Sequence, residues 1–288
     1  MPIAFEHVSF SYDGKHNALN DIDFLLEDGE FLGLIGHTGS GKSTLAQLMD
    51  ALLIPTEGRV LVNGMDTSER KLRRRIRSQV GLAFQYPETQ LFAQTVAEDI
   101  AFGPRNLGIG ADEVELRVHS ALERVGFEYA EIAERSPFDL SGGQQRRVAL
   151  AGILAMEPSV LILDEPAAGM DPATAGEIRL HLQRLNADGL TIVLVTHSME
   201  DAAELCSRVF VLQDGSICMQ GSPAEIYAPE NAQELRRINL GVPRATKFAL
   251  ELAAKGLQLP GVILDETQLV EALLALHGKD GARDGNLG

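Results

Sequence analysis

Residues 31–49 read FLGLIGHTGSGKSTLAQLM, and three local signals meet in that stretch. Phe31–Ile35 is a short, nearly all-apolar run, the pattern of a strand covered on both faces of a sheet. Gly36, Gly39 and Gly41 follow, and they let successive backbone N–H groups converge on an anion without Cβ clashes. From Lys42 to Leu53 the sequence reads as a helix, whose N-terminus turns its positive dipole end toward the same anion. Strand, glycine-rich loop and helix is the setting in which G-x-x-x-x-G-K-[ST] holds phosphate. There Lys42 reaches the β- and γ-phosphates of a nucleotide, and the Ser43 hydroxyl ligates Mg²⁺. The candidate binding residues are Gly36, His37, Thr38, Gly39, Ser40, Gly41, Lys42, Ser43 and Thr44.

Outward from this loop, strands and helices share the chain. Ile3–Phe10 and Leu19–Leu26 alternate partly and read as strands. So do Arg59–Val62, ended by the turn Asn63-Gly64, and Val80–Phe84. Between Gln85 and Leu140 the strand signal disappears. Asp112–Val125 is amphipathic, with Val114, Val118, Ala121, Leu122 and Val125 on one face. Ser141 stands at an N-cap position before a helix over Gly142–Met156. Strands resume with Val160–Leu163 and Thr191–Val195, separated by a helix that opens at Pro172. Val209–Leu212 and Ile217–Met219 flank Asp214-Gly215 as a hairpin, and Ser222-Pro-Ala-Glu225 is a capping box. Farther on, two amphipathic helices are expected, Ala245–Ala254 and Glu266–Leu276, and the end, GKDGARDGNLG, reads as disordered. The implied class is α/β. Its core takes residues 1–86 and 157–230, a helical subdomain is inserted over 87–156, and 231–288 form a short helical extension with a disordered tail.

Composition narrows the function. The chain has 288 residues, 45% of them hydrophobic, enough for one large or two modest domains. No stretch approaches the ~20 apolar residues that cross a bilayer, and MPIAFEHVSF lacks the basic-then-apolar order of a signal peptide. Any membrane role is therefore expected to pass through a partner. Cys206 and Cys218 have no metal-like spacing and read as reduced core residues. A net charge of −16 argues against general nucleic-acid binding. The basic run KLRRRIR, 71–77, reads as a solvated helix face.

Three more segments complete a chemistry. The strand VLIL at 160–163 ends in Asp164-Glu165: an aspartate for the Mg²⁺ side and a glutamate placed to orient or deprotonate the attacking water. LSGGQ, 140–144, puts Ser141 and the N–H groups of Gly142 and Gly143 at a helix start, a second anion site. One subunit has no need of two γ-phosphate sites.

The set GHTGSGKST, LSGGQ, VLILDEP and THS (196–198), in this order, resembles the ATP-binding cassette (ABC) ATPases, a P-loop NTPase fold with an inserted helical subdomain. The resemblance covers about residues 1–225. It implies a dimer closing on ATP, in which the signature residues Ser141, Gly142, Gly143 and Gln144 bind the ATP held by the opposite subunit. It further implies that Gln85 touches Mg²⁺ and senses a membrane partner. His197 becomes the switch that contacts the γ-phosphate. Ala168-Gly-Met-Asp171 becomes the loop through which the sites sense each other, and Tyr12 the ring on adenine.

FQYPETQLFAQTVAEDIAFGPRNLG (84–108) and SPFDLSGGQQRRVALAGILAMEP (136–158) resemble the ATPases of energy-coupling factor (ECF) transporters, cobalt branch included. GHTGSGKSTL resembles the second of their paired ATPases. Ala167 and Met170 depart from the commoner Thr and Leu. The resemblance implies hydrolysis of ATP with Mg²⁺ at the cytoplasmic face of the cell membrane. The implied partners are a second ABC ATPase, the same chain or a related one, a transmembrane coupling protein and a substrate-binding membrane protein. The alternatives are the ATPase of another ABC importer class, or a soluble ABC ATPase of DNA repair or translation. Against the latter, the interval from Gln85 to Leu140 lacks extended heptads, and the chain has one cassette. The segment Pro87–Phe92 is expected to receive an arginine-bearing helix of the membrane partner, with Glu88 pairing that arginine.

Overall fold

The computed structural model describes residues 3–281. In chain order its strands are β1 (Ile3–Ser11), β2 (Asn17–Leu26), β3 (Phe31–Gly36), β4 (Glu57–Val62), β5 (Met65–Asp66), β6 (Val80–Ala83), β7 (Val160–Asp164), β8 (Thr191–Val195), β9 (Arg208–Gln213) and β10 (Ser216–Gly221). The helices are α1 (Lys42–Met49), α2 (Arg73–Gln79), α3 (Val96–Leu107), α4 (Ala111–Arg124), α5 (Tyr129–Ile132) and α6 (Gly142–Leu154). They continue with α7 (Pro172–Ala187), α8 (Met199–Leu205), α9 (Pro223–Ile226), α10 (Ala232–Arg237), α11 (Arg244–Ala254) and α12 (Glu266–Gly281).

Two sheets form the core. A six-stranded sheet runs β10-β9-β3-β8-β7-β6, parallel except for β10, and an antiparallel sheet runs β2-β1-β4-β5. The apolar strands β3 and β8 are buried along their whole length. Their side chains divide with period two, as a strand covered on both faces requires. Leu32, Leu34, Val193 and Val195 join α1 and the antiparallel sheet in one core, while Phe31, Ile35, Ile192 and Leu194 join the helices in the other. From β6 to β7 the described chain contains helices and turns but no strand, and α3, α4 and α6 pack on one another. No described helix is long and apolar enough to cross a membrane.

The structure corrects several expectations. Helix α1 ends at Met49 rather than Leu53, because Ala51 turns to φ +53° and the N–H groups of Leu52 and Leu53 close back on Gln47 O. The basic run is a solvated face, with Lys71, Arg74, Arg75 and Arg77 exposed, but three of its arginines also reach carbonyls: Arg73 donates to the Thr67 and Ser68 carbonyls, Arg74 to Asn106 O and Arg77 to Ala51 O. Cys206 is buried, but Cys218 is exposed. Helix α12 runs past Leu276 to Gly281, so only 282–288 of the expected disordered tail lie outside the described residues.

Asp50, at the end of α1, is buried and its Oδ1 has no hydrogen-bond partner. Burial pushes its carboxyl up to about 7, against the pull of the Arg77 charge. A carboxyl raised in the fold gives stability that is full below its unfolded value and is lost as pH rises toward the folded one. Asp50→Asn is neutral throughout, so its gain over the native chain is expected to be about 1–3 kcal/mol larger at pH 8 than at pH 5. Urea unfolding at both pH values reads this; an equal gain at both would show that Asp50 does not titrate in this window.

Candidate nucleotide site

Strand register assembles the site. Leu34 of β3 and Asp164 of β7 both pair with Val195 of β8, and Ala83 of β6 pairs with Leu163. The glycine-rich loop, Gln85, Glu165 and His197 therefore leave one carboxyl edge of the sheet, where open α/β sheets place ligands.

The loop is shaped by what its glycines avoid. A Cβ on Gly36 would lie 2.4 Å from Leu212 O, and one on Gly41, at φ +105°, would lie 2.7 Å from Leu19 Cδ2. The β9–β10 hairpin braces the loop from outside. Asp214 and Gly215 both take positive φ, the type I′ requirement. Gly215 N then donates to Ser40 O (3.2 Å), and His37 Nε2 lies 3.8 Å from Asp214 Oδ1. Ser40 is buried, its Oγ without a partner, while Thr38 and Gly39 are exposed at the tip. Lys42 Nζ donates to Gly36 O (2.7 Å) and His37 O (2.9 Å), curling across the cradle. Burial lowers the Lys42 pKa, against the Glu165 and Asp164 charges. Tyr12 is exposed, packs edge-on against Phe10, and its hydroxyl meets Thr44 Oγ1 at 3.1 Å, which sets the ring beside the first turn of α1.

Two oxygens stand ready for a hard cation. Ser43 Oγ donates to Asp164 Oδ2 at 3.1 Å. Burial raises the Asp164 carboxyl, opposed by that hydrogen bond and by the Lys42 charge. No group of three or more His, Cys, Asp or Glu that could hold a metal occurs among the described residues. One carboxylate and one hydroxyl nevertheless fit Mg²⁺, which keeps its waters and takes its remaining ligands from substrate phosphates.

Glu165 follows Asp164 at φ +53°, a left-handed conformation costing a non-glycine residue roughly 1–2 kcal/mol. Its N–H donates to Val195 O (2.9 Å), and its Oε1 accepts from His197 Nδ1 at 2.6 Å. The turn after β7 thereby brings the carboxylate against the residue leaving β8. Gln85 is exposed at the end of β6, and Tyr86 after it takes φ +61°.

The signature residues do not join this cluster. Ser141 is exposed and forms a capping box with Gln144, its Oγ accepting from Gln144 N (3.3 Å) and its N–H donating to Gln144 Oε1 (3.0 Å). Among the described residues no hydrogen bond joins 141–144 to 36–44. Gly142 is exposed, and a Cβ on Gly143 would come within 2.7 Å of Thr174 Cγ2. Asp171 caps the neighbouring α7, accepting from Ala173 N, Thr174 N and Thr174 Oγ1, and these bonds hold its carboxyl below the usual range.

Arg146 is the residue that sequence reasoning missed. Only 5% exposed, it forks onto both oxygens of Glu88 (2.8 and 2.9 Å) and donates to Pro166 O (2.9 Å) and Ala168 O (3.0 Å). The signal was present: Arg146, Leu150 and Leu154 lie at i, i+4 and i+8, on the buried face of α6. The same fork corrects the expectation for Glu88, whose carboxylate already has an arginine within its own chain. Burial alone would raise Glu88, yet the Arg146 hydrogen bonds hold it below the usual range.

The ABC transporter family profile matches residues 19–168. An energy-coupling factor transporter ATP-binding protein EcfA2 of Symbiobacterium thermophilum is 52% identical over 99% of both chains. The EcfA2 of Clostridium perfringens is 48% identical over 96% of this chain and 98% of its own. Among solved structures, cbiO1 of Clostridium perfringens, part of the ABC transporter complex cbiONQ, superposes with a TM-score of 0.74. It is 37% identical and covers 82% of this chain and 94% of its own. The dimeric cassette MJ0796 bound to ADP and Pi, 29% identical, gives a TM-score of 0.66 over 77% of this chain and 98% of its own.

Proposed function

This chain belongs to the ABC transporter family, among its energy-coupling factor ATP-binding subunits, and from that premise we propose how its residues perform the work. The chain binds ATP and hydrolyses it to ADP and phosphate, energising an ECF-type importer of vitamins or transition-metal ions through a transmembrane coupling subunit. The cassette takes residues 1–230, and a C-terminal extension follows from 231, helical in its described part, with 282–288 outside the described residues.

Residues 36–44 hold the phosphates through their backbone N–H groups, with Lys42 released from its two carbonyls to the β- and γ-phosphates. Ser43, Asp164 and Gln85 would hold Mg²⁺, which when bound neutralises charge on the transferring phosphoryl group. Glu165 orients or deprotonates the attacking water. His197, hydrogen-bonded to Glu165, fixes that carboxylate and contacts the γ-phosphate. Tyr12 stacks on adenine.

The observation that carries this reading is the division of the site. The phosphate loop, Asp164, Glu165, Gln85 and His197 lie at one sheet edge, while Ser141, Gly142, Gly143 and Gln144 stand apart with no hydrogen bond to the phosphate loop among the described residues. Those four complete the site of an opposite ATPase subunit, the same chain or a related one, and Asp171 lies in the loop between the two sites. The coupling protein, with a substrate-binding membrane protein beside it, holds the chain peripherally at the cytoplasmic face of the membrane.

Co-expression with candidate ATPase and membrane subunits, followed by purification in mild detergent, tests this. A complex that hydrolyses ATP·Mg and drives uptake into liposomes is expected. A chain that hydrolyses ATP at full rate alone and joins no membrane subunit would contradict it.

A further inference from the structure

We propose that Arg146 is a positioning residue for hydrolysis, tying the turn that follows Glu165 to the segment that follows Gln85. The proposal rests on the assignment of Glu165 and Gln85 above. Arg146 lies in α6, the helix opened by the signature, yet its side-chain hydrogen bonds all leave that helix. Two go to Glu88, three residues beyond Gln85, and two go to the Pro166 and Ala168 carbonyls, one and three residues beyond Glu165. Its guanidinium also lies over the Tyr86 ring, 5.5 Å from the centroid. Three segments that the chain separates by about 20 to 80 positions thus converge on one planar group.

The geometry favours positioning over bulk stabilisation. A buried ion pair is weak evidence for stability, because desolvation offsets its attraction. What the rigid fork supplies is direction: bidentate acceptance fixes Glu88 in the guanidinium plane, and the remaining nitrogen fixes two carbonyls. The held segments need fixing. Tyr86 and Glu165, the residues on the near side of each, both take left-handed backbone at φ +61° and +53°, which relaxes unless its surroundings over-determine it. Movement of the Gln85 segment by a membrane partner, or of α6 by a closing subunit, would then be passed through one side chain to the turn carrying the base.

The test uses the purified transporter complex containing this chain, with hydrolysis measured against ATP·Mg concentration. Arg146→Lys keeps the charge but cannot make the fork. It is expected to lower kcat about tenfold or more, with KM for ATP within about twofold of native. Glu88→Gln keeps the shape of the other partner and should lower kcat in the same direction. Combined, the two should lose no more than Arg146→Lys alone, the mark of one shared interaction. If Arg146→Lys does not fold, Glu88→Gln decides. The proposal is overturned if Arg146→Lys keeps native kcat or, where that variant does not fold, if Glu88→Gln does. It is overturned equally if lost turnover only tracks the lost fraction of chains that bind ATP, as a merely structural role requires. Glu165→Gln, run in parallel, separates the readings. A dead Glu165→Gln beside a native Arg146→Lys removes the positioning role alone, whereas an active Glu165→Gln removes the assignment on which it depends.

Discussion

Glu165→Gln is expected to lower ATP turnover by about 10²- to 10⁴-fold while leaving ATP binding close to native. The amide keeps the size of the side chain, and through its oxygen it can still accept from His197 Nδ1, which lies 2.6 Å away in the native chain. It cannot take a proton from water. Nothing in the phosphate loop changes, so ATP enters, the subunits close, and the closed state persists because the step that reopens it is lost. Steady-state hydrolysis and equilibrium nucleotide titration separate the two effects. Near-native turnover would remove Glu165 from the mechanism.

Lys42→Ala acts earlier. In the native chain Lys42 Nζ is held by two carbonyls of its own loop, Gly36 O and His37 O. Bringing phosphate in exchanges those neutral acceptors for an anionic one, and a charge-assisted contact of this kind is worth ~1.5–3 kcal/mol. Its removal should weaken ATP binding about tenfold to a hundredfold. Titration calorimetry reads this directly; unchanged affinity would contradict the phosphate-loop assignment.

What was legible in the sequence was what local chemistry dictates. Glycines at 36, 39 and 41 had to make a cradle, Ser141 and Ser222 had to cap helices, and Asp214-Gly215 had to close a hairpin. The apolar run of β3 announced a strand covered on both faces, and the register of β7 and β8 then placed Glu165 beside His197. What escaped were features set by distant partners. Periodicity showed the exposed face of α2 but not that Arg73, Arg74 and Arg77 reach carbonyls on three separate segments, because those partners are distant in sequence. From sequence, Glu88 is an acid awaiting a partner's arginine; the arginine lies 58 positions along the same chain. Helix α8 was overlooked for its seven residues, although Ser198 accepts from Asp201 N in an ordinary N-cap. The stop of α1 at Met49 was hidden because a left-handed alanine at 51 has no sequence signal.

The division of the site between two subunits is the claim on which the rest depends, and one measurement reaches it directly. Light scattering of the Glu165→Gln chain, alone and mixed with its co-purifying ATPase partner, gives the mass in the presence and absence of ATP·Mg. The mass is expected to double with ATP·Mg in at least one of these preparations. It should return to that of single subunits when Ser141→Arg is added, since arginine at the exposed start of α6 obstructs the γ-phosphate of the opposite site without touching the chain's own phosphate loop. A doubled mass that survives Ser141→Arg, or a mass of single subunits in every preparation despite saturating ATP·Mg, would contradict the account.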